Sequence, residues 1–133
     1  MANEAVQAEA ARYIKRFTCS RTAMPKGTLL TFSGPNEVKA SSSTDVWAGI
    51  SVEEITSADG ITNVGVAIDG KWTLYAGGGT TISVGELVKL SGVNTVEGDV
   101  VEADIIAGKV IGKSCGAVTI GTAASIPVLV GVY

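Results

Sequence analysis

The chain lacks the residue types on which most catalytic and metal sites depend. It contains no histidine, which is the commonest general base and the commonest metal ligand. Cys19 and Cys115 have no further cysteine near them, so no metal-ligand spacing is present. Glu53 and Glu54 are the only adjacent carboxylates, and neighbouring residues of a strand point to opposite faces. We therefore expect no catalytic residue, no metal ligand and no cofactor site, and we predict that the protein is not an enzyme.

The stretch from Gly77 to Thr81, GGGTT, is the one segment that could suggest a phosphate-binding loop. It lacks the Lys-Ser/Thr pair that completes a P-loop, and no helical pattern follows it. We interpret it as a flexible connector between two repeated units of the chain. Cys19 and Cys115 lie in strand-like patterns and are expected to be small buried residues, with a disulfide between them left open.

Trp47 and Trp72 are the only tryptophans, and aromatic residues make up just 5% of the chain. This is too few to build the stacking platforms that bind single-stranded nucleic acid, so we expect no nucleic-acid partner. Core packing with a locally bonded indole N–H is the main expectation for both tryptophans. The alternative is that one of them anchors an interface with another protein.

The composition favours short strands joined by tight turns. Apolar residues make up 46% of the chain, and charged residues make up 17%, against about 25% in an ordinary domain. The chain also contains 17 glycines and only three prolines. No apolar run approaches the ~18 residues of a membrane helix, and the N-terminus lacks the pattern of a signal peptide. We expect a globular all-β domain without a membrane partner.

Two segments 58 positions apart have nearly the same pattern, GTLLTFSGPNEVK from Gly27 and GELVKLSGVNTVE from Gly85. Each begins with Gly, continues as a short apolar run and then turns at Ser-Gly-x-Asn. Gly and Asn accept the positive φ that tight turns require, so both segments are predicted to be hairpins. Six of the thirteen positions are identical: Gly27/Gly85, Leu29/Leu87, Ser33/Ser91, Gly34/Gly92, Asn36/Asn94 and Val38/Val96. We expect Leu29 and Leu87 both to point into the core.

The repetition continues more loosely after the two hairpins. Ala48-Gly49 matches Ala107-Gly108, and the alternating run from Val64 to Ile68 matches Ile126 to Val130. Asp69-Gly70 lies between two alternating apolar runs, which is a strong hairpin signal. Pro127 cannot donate to a ladder, so the last strand is predicted to lie at an edge. The predicted fold is a small β-barrel or sandwich built from two similar hairpin units, spanning about 27–76 and 85–133.

The first 26 residues differ from the remainder in charge. They carry five basic and two acidic residues, for a net charge of +3, whereas residues 27–133 carry five lysines and eleven carboxylates, for −6. The segment from Asn3 to about Arg16 has the charge order of a short helix, and roughly Tyr13 to Ser20 has the alternation of a first strand. We interpret 1–16 as an N-terminal arm, either extended or folded as this short helix, that precedes a barrel domain at 17–133.

The arm is the predicted interface. Its apolar face is too small to hold an isolated helix in water, and its basic cluster suits an acidic partner surface. We expect residues 2 to about 16 to leave the barrel and contact another chain; the alternative is a capping helix on the protein's own barrel. The predicted interface with a second copy or another partner comprises Val6, Ala10, Arg12, Ile14, Lys15, Arg16 and Arg21.

Several longer segments carry a family resemblance. They are GTLLTFSGPNEVKASSSTDVWAGISVEEI, DGKWTLYAGGGTTISVGELVKLSGVN, IIAGKVIGKS and a final VLVGVY. In this order they resemble the head decoration proteins of tailed phages, also called capsid cement proteins. The resemblance runs from about Phe17 to Tyr133 and rests on ordered Gly and apolar positions. The first sixteen residues are more helical and alanine-rich than is expected of that family.

The resemblance implies a small β-barrel protein that is made in the host cytoplasm and binds the exterior of the virion capsid. Such proteins commonly form homotrimers at three-fold positions and bridge neighbouring capsomers, with the major capsid protein as partner. A second hypothesis is a surface-exposed binding module that recognises a host-cell glycan or receptor. Capsid binding that saturates at the lattice stoichiometry separates the first hypothesis from the second.

Overall fold

Eleven strands and one short helix form the described part of the chain, which is residues 3–19, 23–55 and 63–131 of the computed structural model. The all-β class predicted from the sequence is confirmed, and the strands close two small barrels instead of one. The elements are β1 (Val6–Glu9), β2 (Ile14–Cys19), β3 (Leu29–Gly34), β4 (Glu37–Ala40), β5 (Gly49–Ser51), β6 (Asn63–Ala67), β7 (Gly70–Ala76), β8 (Leu87–Gly92), β9 (Thr95–Glu97), α1 (Glu102–Ile106), β10 (Val110–Ser114) and β11 (Ala124–Val130).

The two barrels have the same topology. The N-barrel is closed by β2, β4, β3, β5 and β6 in that spatial order, and the C-barrel by β7, β9, β8, β10 and β11. In each barrel the first strand (β2 or β7) pairs in parallel with the second strand of the hairpin (β4 or β9), and every other pairing is antiparallel. Isolated bridges join Met24 to Ile55 and Ile82 to Val118 at matching places. The repeated sequence therefore encodes a repeated barrel.

The two predicted hairpins form where the sequence places them. β3 pairs with β4, and β8 pairs with β9, each with an irregular register just before the turn. Asn36 and Asn94 have φ values of 56° and 51°, the left-handed conformation that Asn tolerates better than most residues. The repeated Ser-Gly-x-Asn text is therefore explained by turn geometry.

The contact between the barrels is not reciprocal. The backbone N–H of Leu29 donates to Asn94 Oδ1 at 3.0 Å, and Leu29 is 1% exposed. Neither equivalent residue is buried in the same way, because Asn36 is exposed and Leu87 is only half-buried. The expectation that both leucines point into the core is therefore wrong for Leu87. Its side chain is on the outer face of the C-barrel, at a position that the described part of the N-barrel does not cover.

An apolar stripe on the N-barrel contributes to this contact. Leu29, Ile50 and Ala67 are register neighbours on β3, β5 and β6, and they pack with the interior of the C-barrel in one cluster. A second cluster fills the interior of the N-barrel. The C-barrel residue equivalent to Ile50 is Lys113, which is half-buried and pairs with Leu87 on one side and Leu129 on the other. The C-barrel therefore has a charged residue where the N-barrel stripe is apolar.

The junction between the barrels lies at Asp69-Gly70, and the hairpin predicted there is wrong. β6 pairs with β2 and β5, whereas β7 pairs with β1, β9 and β11. Gly70 has a φ of 98°, which turns the chain from one barrel into the other, and an added Cβ would lie 3.1 Å from Ala11 Cα. Trp72, just beyond the junction, is 1% exposed, and its indole N–H donates to Asp69 O at 3.0 Å. Its predicted core position is confirmed.

Two further expectations about the repeat are wrong. Gly77–Thr81 joins β7 to β8 inside the C-barrel, so it does not connect the two units. The residue equivalent to Gly49 is Gly112 and not Gly108, because Gly49 pairs with Leu30 and Gly112 with Val88. At both of these glycines an added Cβ would overlap the next strand, at Val66 Cγ1 and Ala67 O in one case and at Leu129 O in the other. This close approach explains the requirement for glycine.

β11 is not an edge strand, because it pairs with both β7 and β10. Pro127 accepts a hydrogen bond from the Cys115 N–H at 2.8 Å, so its backbone faces β10 just beyond the end of that strand. A proline N–H would face the same side, so its absence removes no bond between β11 and β7. Cys19 is buried as expected, whereas Cys115 is exposed in the turn after β10, and both thiols are free.

Candidate interaction surface

The N-terminal segment packs on the barrels of the same chain, and it forms a strand and not a helix. β1 pairs with β7 so that Val6 is opposite Thr73 and Glu9 is opposite Lys71. The Ala5 N–H donates to Gly27 O at 2.8 Å, which ties the segment to the N-barrel as well. The helix predicted for this segment is wrong. Its thin alanine-rich face is too small to stabilise a short helix, whereas pairing with the edge of β7 satisfies its backbone N–H and C=O groups. The expectation that these residues leave the barrel is wrong for the same reason.

Asp69 fixes the turn between β1 and β2. Its Oδ1 accepts backbone hydrogen bonds from Arg12 at 2.9 Å and from Tyr13 at 3.0 Å. The Arg12 guanidinium lies 5.8 Å from the centre of the Tyr13 ring, within the range of a cation–π contact. One carboxylate at the junction of the barrels therefore sets the direction in which β2 starts.

The charged side chains of β2 are exposed. Arg16 Nη1 lies 2.7 Å from Glu53 Oε1, and the same oxygen accepts the Gly65 N–H at 2.9 Å. The two charged side chains are 59% and 41% exposed, so the pair contributes at most about 1 kcal/mol to stability. Glu54, the other member of the sequence pair, is exposed. The adjacent carboxylates therefore do not act on a common site.

Large apolar side chains are exposed on and beside β2. Tyr13 is 54% exposed, Ile14 46% and Phe32 45%. The rings of Phe17 and Phe32 meet edge to face at 5.6 Å between centroids. Leu90, the residue equivalent to Phe32, is fully buried, so the N-barrel is open where the C-barrel is closed. We call the exposed residues Arg12–Arg16 and Phe32 the β2 surface, in which Ile14 and Arg16 point to one face of the strand and Lys15 to the other.

The predicted interface residues fall into two groups. Arg12, Ile14, Lys15 and Arg16 share the β2 surface, and all four are exposed. Val6 and Ala10 are exposed too, but they belong to β1 and to the loop after it. Arg21 lies outside the described residues. Phe32 was missed as an interface candidate from the sequence because its repeat counterpart is an ordinary core leucine.

The glycine-rich segment provides no phosphate site. Gly77, Gly79 and Thr80 line a shallow hollow together with Glu97, whose carboxylate disfavours an anion. The Thr80 hydroxyl accepts the Gly98 N–H at 2.9 Å, so it is used inside the barrel. Within the described residues, no group of three or more potential ligands could hold a metal ion.

Three ionisable groups with shifted pKa values lie apart from one another. Burial raises the pKa of the Cys19 thiol, and the backbone N–H of Ser42 lowers the pKa of the Asp45 carboxyl. The Val101 N–H, and then the Lys89 ammonium at 2.9 Å, lower the pKa of Asp104. The last contact anchors α1 to β8. Each shift has a local structural cause, and the three groups do not converge on a site.

Comparison with models of known protein families gave no match to this chain, and comparison with curated proteins gave none. In the parts of the chain that the structure covers, no helix is long and apolar enough to span a membrane.

Proposed function

We propose that this chain is a structural virion protein that binds the outer surface of a phage capsid and stabilises the shell by bridging capsomers. The observation that carries the proposal is where the segments resembling capsid cement proteins lie. They contribute β3, β4 and β5 of the N-barrel and β7, β8 and β10 of the C-barrel. The resemblance therefore follows the elements that build the fold.

The β2 surface supplies both apolar and basic groups for such a contact. Ile14 and Phe32 offer apolar area, which supplies affinity in protein interfaces. Arg12, Lys15 and Arg16 would set the approach and the register on an acidic partner. The proposed partner is the major capsid protein, and the proposed assembly on the capsid is a homotrimer, so that a modest contact is multiplied by symmetry and copy number.

The test is titration of the purified protein onto expanded capsids that lack it. The bound amount should saturate at a ratio fixed by the capsid lattice, and decorated capsids should withstand a higher temperature before they rupture. Absent or unsaturable binding would contradict the proposal. Binding to host cells that disappears on removal of surface glycans would instead support the receptor-binding alternative.

Charge reversal on the β2 surface separates this contact from general folding effects. The double variant Arg12→Glu with Lys15→Glu should remain folded and bind capsids at least ten-fold more weakly. Lys39→Glu, an exposed site on β4, is the matched control and should bind normally. Deletion of the N-terminal arm is less informative, because β1 covers the edge of β7 and its removal would expose that edge.

A further inference from the structure

The two barrels differ at one strand edge. One edge of β7 pairs with β11, and its other edge pairs with β1 at Lys71–Thr73 and with β9 from Tyr75. One edge of β2 pairs with β6, and its other edge pairs with β4 only from Thr18. Counting back from these matched pairings, Ile14–Arg16 is the equivalent of Lys71–Thr73. Among the described residues, no strand lies beside it.

The backbone groups at this edge are directed outward. The Ile68 N–H donates to Tyr13 O, so the odd-numbered residues of β2 bond to β6. The Thr18 N–H donates to Asn36 O on the opposite side. Because alternate residues of a strand bond to alternate neighbours, Ile14 and Arg16 present their N–H and C=O groups to the open side. An edge of this kind is a template for another strand.

We propose that Ile14–Arg16 of β2 binds an extended acidic segment of another protein as an added antiparallel strand. The pairing would repeat what β1 does on β7, with main-chain hydrogen bonds supplying affinity and side chains supplying selectivity. This inference goes beyond the capsid proposal, since it defines the chemistry of the bound segment and holds for any protein that supplies one.

The charge of the edge selects the occupant. Arg12, Lys15 and Arg16 are exposed there. The strand that fills the equivalent position is acidic: residues 3–9 contain two glutamates and no basic residue, and Glu9 lies opposite Lys71. A second copy of β2 is disfavoured, because an antiparallel pair centred on Lys15 would place two lysines directly opposite each other.

The test uses the full-length protein labelled with ¹⁵N and a synthetic peptide with the sequence of residues 3–11, NEAVQAEAA. Amide shifts should move at Ile14–Arg16, and amide exchange should slow at Ile14 and Arg16. Residues Lys71–Thr73 should not respond, because β1 is held there intramolecularly at a high effective concentration. Response confined to Lys71–Thr73, or no response at millimolar peptide, would overturn the proposal.

Two kinds of variant separate the contributions of the backbone and of charge. Arg16→Pro removes an N–H that faces the open edge and not β6, so it should abolish peptide binding, whereas Arg16→Gln should weaken it only several-fold. Equal binding by the Arg16→Pro variant would refute the strand geometry. If that variant does not fold, Arg12→Glu with Lys15→Glu keeps the backbone intact and decides the question. It should prefer a peptide in which both glutamates are replaced by lysine, and an unchanged preference would refute the charge argument.

Discussion

Leu29 and Leu87 are equivalent residues in two barrels of one chain, so replacing each with alanine tests the one-sided barrel contact. Both occupy the first position of a hairpin strand. Leu29 is 1% exposed and packs into the cluster shared by both barrels, whereas Leu87 is half-buried and lies outside that cluster. The same chemical change is therefore made at a covered site and at an uncovered one.

The expected cost follows from the carbon atoms removed. Leu to Ala deletes three carbons, worth about 0.8 kcal/mol each when fully buried, and the cavity left behind adds to this. We expect Leu29→Ala to lower the free energy of unfolding by roughly 3–4 kcal/mol. For Leu87→Ala the site opens to solvent, so no closed cavity forms and the cost should be about 1 kcal/mol. The hydrogen bond from the Leu29 N–H survives in the first variant because it is a backbone donor.

The assay is urea unfolding at pH 7, followed by both tryptophan fluorescence and circular dichroism. A single transition is expected for the wild type, because one apolar cluster spans both barrels. The Leu29→Ala midpoint should fall well below the Leu87→Ala midpoint at a similar slope. Equal losses at the two sites would refute the claim that only the N-barrel stripe is covered. Two separate transitions would refute the shared core.

The remaining predictions use similar matched pairs. Asp104→Asn should lower stability at pH 7 but much less at pH 2.5: a lowered pKa means that the carboxylate contributes fully above about 3.8 and loses its effect as the pH falls. An equal loss at both pH values would contradict this. Gly112→Ala should cost more than about 3 kcal/mol in thermal unfolding because its Cβ would overlap the next strand, while Gly79→Ala, with nothing within 4 Å, should change stability by less than about 0.5 kcal/mol. Asn94→Gly should cost about 1–3 kcal/mol by leaving a buried N–H unpaired, whereas Asn36→Gly should be nearly neutral.

Local chemistry made part of this fold predictable. The Ser-Gly-x-Asn turns could be read because a positive φ restricts the residue types at a turn, and both hairpins formed there. The alternation of apolar and polar residues predicted the strands near Tyr13 to Ser20 and from Ile126 to Val130, because side chains of a strand point to opposite faces in turn. The duplication itself was visible because each copy needs the same turn residues.

Other features depended on contacts between distant residues. Asp69-Gly70 has a sequence typical of a hairpin turn, yet it joins two barrels. Gly70 faces Ala11, and the Asp69 carboxylate accepts the backbone N–H groups of Arg12 and Tyr13. The N-terminal segment has the charge order of a helix, yet it forms a strand, because β7 offers it an open edge. In both cases a tertiary partner outweighs a local preference worth a few tenths of a kcal/mol per residue.

The sequence by itself determined the class of fold, the repeat and four residues of the β2 surface, which are Arg12, Ile14, Lys15 and Arg16. It could not show that Leu29 is buried and Leu87 is not, or that Leu90 is buried and Phe32 is not. The members of each pair occupy equivalent positions of the repeated sequence. Only the tertiary structure decided which member is covered, because burial depends on which barrel face meets the other barrel. The same asymmetry leaves one edge of Ile14–Arg16 without a neighbouring strand among the described residues, where both edges of Lys71–Thr73 are paired. A repeated sequence specifies repeated elements, but the contact between its two copies need not be mutual.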